Sequence, residues 1–449
     1  MEDEEKIIEK VIDLIEYKKI KQLREFLDNI NEADFPMIFK ELDEEKIIMV
    51  YRLLPKEKAA KVFIELDSDD EEKLINCLTD KEIKNVMNEI NMDDATDLIE
   101  EMPSNVVKRI LANTKVEDRK IINELLKYPD DTAGTIMTTE FMDFKENMTV
   151  EDAFQRIKKK GLKSETIYKC YVLSVDRKLL GVVDIKSLLV ADRDEKVKDI
   201  METNIIKSQT LDDQEEVVKL FDKYDVVAVP VVDKENRLVG IITIDDAIDV
   251  MQEEASEDFE LMAAMSPTED SYFKTSVFSH AKNRIVWLLV LMISAMITGA
   301  IIEHFEASIA SLPILVSFIP MLMGTGGNCG AQSSTLIIRG LATDEISTKD
   351  WIKAVWKELR VALLVGIVLA IVNTFRITLQ YGELKIALVV SATMICTIIV
   401  SKILGCLLPI VAKKLKMDPA IMAAPLLTTV VDATTVLIFF SIVSSAFQI

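Results

Sequence analysis

The sequence predicts a multidomain membrane protein: an all-α superhelical repeat domain, a tandem α/β module, a long connecting helix and a five-helix all-α transmembrane domain. Three observations carry this reading. Of the 75 acids and 53 bases, only 9 acids but 13 bases lie from Ala281 onward, so the first part carries -26 and the second +4 of the total charge of -22. A 24-residue period runs through the first 128 residues, and β-branched runs then alternate with amphipathic helical patterns up to about residue 253. After Ala281 come five stretches long and apolar enough to cross a hydrocarbon core of ~30 Å.

The repeat domain spans residues 1–130. "VFIELDSDDEEKLI" at Val62 returns as "VMNEINMDDATDLI" at Val86, and Pro55, Thr79 and Pro103 open successive short helices at the same offset. A fixed period of this length describes stacked helical hairpins. Acidic turns recur with it, at 43–45, 67–72 and 93–97, and acids near helix starts ordinarily cap the helix and complement its dipole. An acidic soluble half argues against nucleic acid as a partner, because phosphates would be repelled, and it suits cations. The five cysteines show no metal-ligand spacing and read as reduced thiols. The N-terminus has no apolar signal segment, and His280 and His304 stand alone, so neither is expected to be catalytic.

Residues 131–253 repeat one plan twice, strand–helix–strand–strand–helix, with "IM" preceding each copy at Ile136 and Ile200. The pattern resembles a pair of CBS domains, 131–200 and 201–253. In the second copy Gly240, Thr243 and Asp246 match the G-x-x-T-x-x-D pattern that holds a nucleotide ribose and phosphate in many CBS domains; the first copy has Gly181, Asp184 and Ser187 there. The resemblance therefore makes ATP a candidate modulator, while Asp246 reads equally well as a helix cap or a cation ligand. The last helix is expected to run on through "QEEASEDFELMAAM", and 254–280 to join the module to the membrane domain, 281–449.

The spans are expected at 285–302, 312–340, 359–380, 384–411 and 419–446. Lys282 and Arg284, the Arg339–Arg360 loop and Lys413, Lys414 and Lys416 lie on one side; Glu303 and Glu306, with Arg376 and Lys385, lie on the other. The positive-inside rule then puts the N-terminal region in the cytoplasm and the C-terminus outside. The second span contains "MLMGTGGNCGAQSS", whose polar groups need protein or water at membrane depth. Its glycines permit either local unwinding, which would aim carbonyls at a cation, or close helix approach. The fifth span buries Asp432 in an apolar run, a cost on the order of 2.5–3.5 kcal/mol that marks a functional residue. A bound cation is its simplest partner; Lys402 at comparable depth is the competing one. Pro425 is expected to loosen the helical ladder before Asp432.

With "GTGGNCGAQS" and "DPA…AAPLLTTVVD" following helical repeats and paired CBS domains, the whole chain resembles the MgtE family of magnesium channels and transporters. "DTAGTIMTTEF" at Asp131 and "RIVWLL" at Arg284 fit the same resemblance. It implies a homodimer in the plasma (inner) membrane with one pore lined by the second and fifth spans. Asp432 and backbone oxygens near Ala424 would select the ion, Asn328, Gln332, Gly326 and Gly327 would shape the pore, and Asp418 would stand near its cytoplasmic mouth. The implied cytoplasmic Mg2+ ligands are Asp93 and Asp97; Asp213, Glu215 and Asp225; Asp246 and Asp249; and Glu254, Glu257 and Asp258. Ala331, Thr435 and Lys61 depart from the family pattern. The function implied is Mg2+ influx, closed by cytoplasmic Mg2+ acting on the acidic domains. A carrier coupled to H+ or Na+ would show further titratable groups inside the membrane, and beyond Asp432 and Lys402 the sequence reading finds none. A membrane-anchored nucleotide sensor leaves Asp432 unexplained, and no nucleophile–base set suggests an enzyme.

Overall fold

The computed structural model describes residues 2–268, 272, 273, 275–305 and 312–448, in two compact units, Met1–Met251 and Gln252–Ile449. Glu306, one of the acids used for membrane orientation, lies outside the described residues.

The first unit opens with ten helices: α1 (Glu2–Glu16), α2 (Ile20–Asp28), α3 (Phe35–Lys40), α4 (Glu44–Leu53), α5 (Lys56–Ile64), α6 (Ser68–Cys77), α7 (Asp80–Val86), α8 (Met92–Glu101), α9 (Ser104–Asn113) and α10 (Val116–Leu125). The 24-residue period is a period of helix starts. Asp43 and Asp67 occupy the N-cap positions of α4 and α6, and their side chains accept from the amides of Lys46 and Asp70. Pro55, Thr79 and Pro103 hold the equivalent positions of α5, α7 and α9, with a full capping box at Thr79. Each helix buries one stripe, from Leu23 and Phe35 through Phe63 and Leu74 to Ile110 and Ile122, in one core that continues into Val217, Phe221, Val231 and Ile242.

That continuation belongs to the α/β module: β1 (Asp143–Lys145), α11 (Val150–Lys160), β2 (Lys169–Leu173), β3 (Leu179–Asp184), α12 (Ile185–Val190), α13 (Val197–Ile200), β4 (Ser208–Gln209), α14 (Gln214–Tyr224), β5 (Ala228–Val232), β6 (Leu238–Thr243) and α15 (Ile244–Met262). In each copy the first strand pairs parallel with the second, which pairs antiparallel with the third. The copies also exchange segments. Thr138 bridges to Ile241 of β6, and Glu202 bridges to Val182 of β3. This exchange explains the two "IM" pairs. A Cβ at Gly240 would lie 2.6 Å from the Met137 sulfur and 2.8 Å from the Thr138 carbonyl, and one at Gly181 would lie 2.5 Å from the Met201 sulfur. Packing by itself thus requires glycine at 240.

In the second unit the membrane-length helices are α16 (Val277–His304), α17 (Ile319–Ala342), α18 (Trp351–Tyr381), α19 (Leu384–Lys414) and α20 (Ala424–Phe447). One open alternative is decided and two expectations need correction. First, α17 is one unbroken helix, and its glycines serve close approach: a Cβ on Gly405 of α19 would lie 2.3 Å from the Gly330 carbonyl oxygen. Second, the fifth span is not one helix. A 3-10 turn, Pro419–Met422, precedes an extended Ala423, and Pro425 sits in the first turn of α20. Its missing amide costs nothing there, so it opens the helix and loosens no ladder. Third, α18 begins at Trp351, eight residues before the expected edge, which brings Glu358 into the helix.

Candidate functional site

Two places gather the residues singled out from sequence. The first is α17 and its neighbours. Spacing of i, i+4 puts Asn328 and Gln332 together on an exposed face of α17, while Gly326, Gly327, Gly330, Ser333 and Ser334 form the buried face. That buried face meets α19 and α20: a Cβ on Gly326 would touch Thr397 at 2.7 Å and Thr435 at 3.0 Å, and one on Gly327 would touch Thr428 at 3.1 Å. Thr435, the departure after Asp432, is therefore a buried packing residue beside Gly326. The Ser334 hydroxyl donates to the Met422 carbonyl at 3.2 Å, tying α17 to the break ahead of α20. Asp418 accepts from the Ala420 amide at 2.7 Å and caps the 3-10 turn, and Ala424 is the first residue of α20.

Asp432 is half-buried, two turns into α20. Lys402 does not pair with it. The Lys402 ammonium lies 3.3 Å from Glu358 and donates to the Ser333 hydroxyl at 3.0 Å. Among the described residues no ion pair or hydrogen bond to Asp432 is present. Sequence reasoning missed Glu358 and Ser333. Glu358 stands at the edge of an apolar run beside Lys357 and Arg360, and nothing in one dimension tells such an acid from a loop acid.

The second place is acidic, in the first unit, where α8 meets the two α/β copies. In register with Asp43 and Asp67 the chain places Asn91, and its side chain does not cap α8 but donates to Glu165. The Met92 amide is served by Glu140 at 3.2 Å. Asp93 is then 9% exposed, and its Oδ1 is buried without a hydrogen-bond partner. Asp246 accepts from the Thr243 hydroxyl at 2.6 Å and the Thr243 amide at 3.2 Å, so it caps α15 while facing Asp93.

Burial and mutual repulsion push seven acids here upward: Asp246 to about 6, Glu140, Glu165 and Asp97 to about 7, Asp94 and the adjoining Glu71 to about 8, and Asp93 up as well. Asp97 has surface open to water, yet loss of solvation among the crowded carboxylates is still its main cause, followed by Asp93, Glu100, Glu101 and Asp246. Among the described residues no three such groups stand close enough to enclose one ion.

The structure thus brings together Asp93, Asp97 and Asp246 and adds Asp94, Glu140 and Glu165. Nothing in one dimension pointed to the last three, because Asn at position 91 is itself an ordinary capping residue and Glu140 and Glu165 lie far along the chain. It does not gather the others there. Asp213 caps α14 through the Glu215 amide, Glu215 pairs with Lys219 at 3.0 Å, and Asp225 ends α14 with φ of 52°. Asp249 is exposed on α15, and Glu254, Glu257 and Asp258 follow it on the same helix.

Five apolar helices of membrane-spanning length, one of them carrying a carboxylate with no partner among the described residues, joined to an acidic repeat and two strand-exchanged α/β copies, describe a membrane transporter with a large soluble region. Residues 319–442 match the MgtE divalent cation transporter family, 30–131 its intracellular N domain, and 133–194 and 197–253 CBS domains. The chain is 33% identical over 441 residues to the magnesium transporter MgtE of Bacillus subtilis (98% of this chain, 97% of that one) and 35% over 454 residues to that of Thermus thermophilus (98% of each). The chain belongs to the MgtE family, a family of transporters and not of enzymes. Its soluble part is similar to the crystal structure of the soluble part of a magnesium transporter (31% identity, TM-score 0.53, 56% of this chain and 99% of that one). It is also similar to the cytosolic domain of the Mg2+ channel MgtE in complex with ATP (33% identity, TM-score 0.51, 54% and 98%).

Proposed function

We propose that this chain forms a homodimeric Mg2+ influx channel, with its soluble unit in the cytoplasm and its C-terminus outside, which cytoplasmic Mg2+ closes. The observation that carries this is Asp432: a half-buried carboxylate on a membrane helix for which the nearby base is already taken by Glu358. A carboxylate at that depth is tolerated when a cation or water path balances it. Asn328 and Gln332, polar on the exposed face of α17, extend such a path. Mg2+ sheds its water reluctantly, so paired carboxylates would hold it through its hydration shell. Entry is driven by the membrane potential, about 2.3 kcal/mol per charge per 100 mV.

The acidic cluster supplies the regulation. The buried Asp93 Oδ1, without a hydrogen-bond partner, favours positive charge nearby. With no divalent ion the carboxylates repel; divalent ions gathered over Asp93, Asp97 and Asp246, none of them enclosed by all three, screen that repulsion and stabilise the compact arrangement and, through α15, the closed state. The ion shifts the equilibrium only by its tighter binding to that state. ATP is a further candidate ligand of this unit, supported by the relative that binds it.

The test is patch-clamp of the full chain in liposomes, stepping bath Mg2+ on the cytoplasmic side, for wild type and Asp432→Asn. Mg2+ currents that close as that Mg2+ rises and vanish in the variant are expected. Glu358 does favour a second reading, the H+- or Na+-coupled carrier, because it is the additional acid inside the membrane unit that such a mechanism would use. Flux that requires a proton or sodium gradient, without current of channel size, would establish it.

A further inference from the structure

The Glu358–Lys402 pair has no part in the pore or sensor chemistry above, and it is built with care. Lys402 is 4% exposed and Glu358 8% exposed. The Ser333 hydroxyl donates to Glu358 Oε2 at 2.6 Å and accepts from Lys402 Nζ at 3.0 Å, so one triad joins α17, α18 and α19. Stability does not account for it, since buried ion pairs are commonly replaceable by apolar residues of equal volume at no loss. Its place is informative. Ser333 is on the buried face of α17, and Asn328 and Gln332 are on the exposed one. Ser333 directly follows Gln332, so the ammonium it holds lies within about 10 Å of the Gln332 backbone, on the buried side of that polar stripe. At that range inside a membrane an uncancelled positive charge would oppose a divalent cation strongly.

We propose that Glu358 is a specificity-determining counter-ion: it cancels the charge of Lys402 behind the cation path, and Ser333 fixes the two together against the pore helix. The proposal rests on the channel reading. It makes an asymmetric prediction. Removing the acid leaves a positive charge behind the path and blocks cations. Removing the base leaves an acid that a cation tolerates. Removing both restores neutrality.

The experiment is Mg2+ flux and current from the full chain in liposomes for wild type, E358Q, K402M and the double variant E358Q/K402M, with thermal melting of each in detergent. E358Q is expected to lose tenfold or more of the flux, while K402M and the double variant stay within threefold of wild type. Equal losses in E358Q and K402M, unrepaired in the double variant, would overturn the proposal and reduce the triad to a packing element. If E358Q does not fold, K402M and the double variant decide: tenfold loss in either overturns it. Asp432→Asn in the same preparation tests the channel reading separately, because it is judged by the loss of current and not by the E358Q/K402M asymmetry.

Discussion

At the scale of the residue, Asp93 shows how position changes the work of an acid. Asp43 and Asp67 cap their helices in water, whereas Asp93 is sealed against the α/β module with one oxygen unserved. Asp93→Asn removes a buried like charge, so without divalent cations it should raise the melting temperature of the protein. It should also shrink the Mg2+-induced rise in melting temperature and move channel closure to Mg2+ concentrations about tenfold higher. A variant that melts lower in EDTA and closes normally would show that Asp93 is not part of the sensor. Gly240→Ala is a packing test, since its Cβ meets a methionine sulfur and a carbonyl well inside contact distance. It should cost about 1–3 kcal/mol, read as a fall in melting temperature, with or without ATP.

At the scale of the element, α17 is the piece on which the membrane unit turns. Its glycine and serine face lets α19 approach to backbone contact and α20 to close side-chain contact, which leaves the amide side chains for the other face. Gly405→Ala places a methyl against the Gly330 carbonyl, which cannot move aside as a flexible side chain would. The expected outcome is loss of folded protein in detergent chromatography, with a cost at the upper end of the 1–3 kcal/mol seen for overpacking. Gly324→Ala, which meets nothing within 4 Å, is its control and should fold normally. Helix propensity favours that control slightly, because alanine is the better helix former.

At the scale of the whole molecule, the acidic cluster makes the stability of the soluble unit depend on pH. In the folded unit its carboxyls hold protons up to about pH 6 to 8; unfolded, they release them near pH 4. Between those limits the folded state binds more protons, so stability falls as pH rises through this window, and the contribution of these protons is fully lost above about pH 8. In EDTA the melting temperature should therefore drop from pH 6 to pH 8.5, and millimolar Mg2+ should flatten that slope. Mg2+ binding at pH 7 should correspondingly release protons, measured as a dependence of calorimetric heat on buffer ionisation enthalpy. A flat profile in EDTA would remove the cluster from the account of regulation.

Much of this was legible in one dimension. The 24-residue period, the doubled strand pattern and the five apolar runs are local periodicities, and local periodicity is set by which face of a helix or strand must leave water. Asp432 was legible for the same reason, since a carboxylate within an apolar run is costly wherever the helix points. What the sequence could not show was contact between distant segments. The glycines of α17 allowed either unwinding or close packing, and only the backbone of α19 lying against Gly330 decided for packing. Asn91 holds the register of a cap, yet it is Glu165, 74 residues further along, that takes its side-chain amide, and Glu140, 48 residues beyond Met92, that serves the Met92 amide. For Lys402 the sequence offered only Asp432, and tertiary structure paired it with Glu358 instead, because α18 and α19 run side by side. Burial preferences are written in the order of residues; pairings depend on which faces meet, and that is decided only when the chain closes on itself.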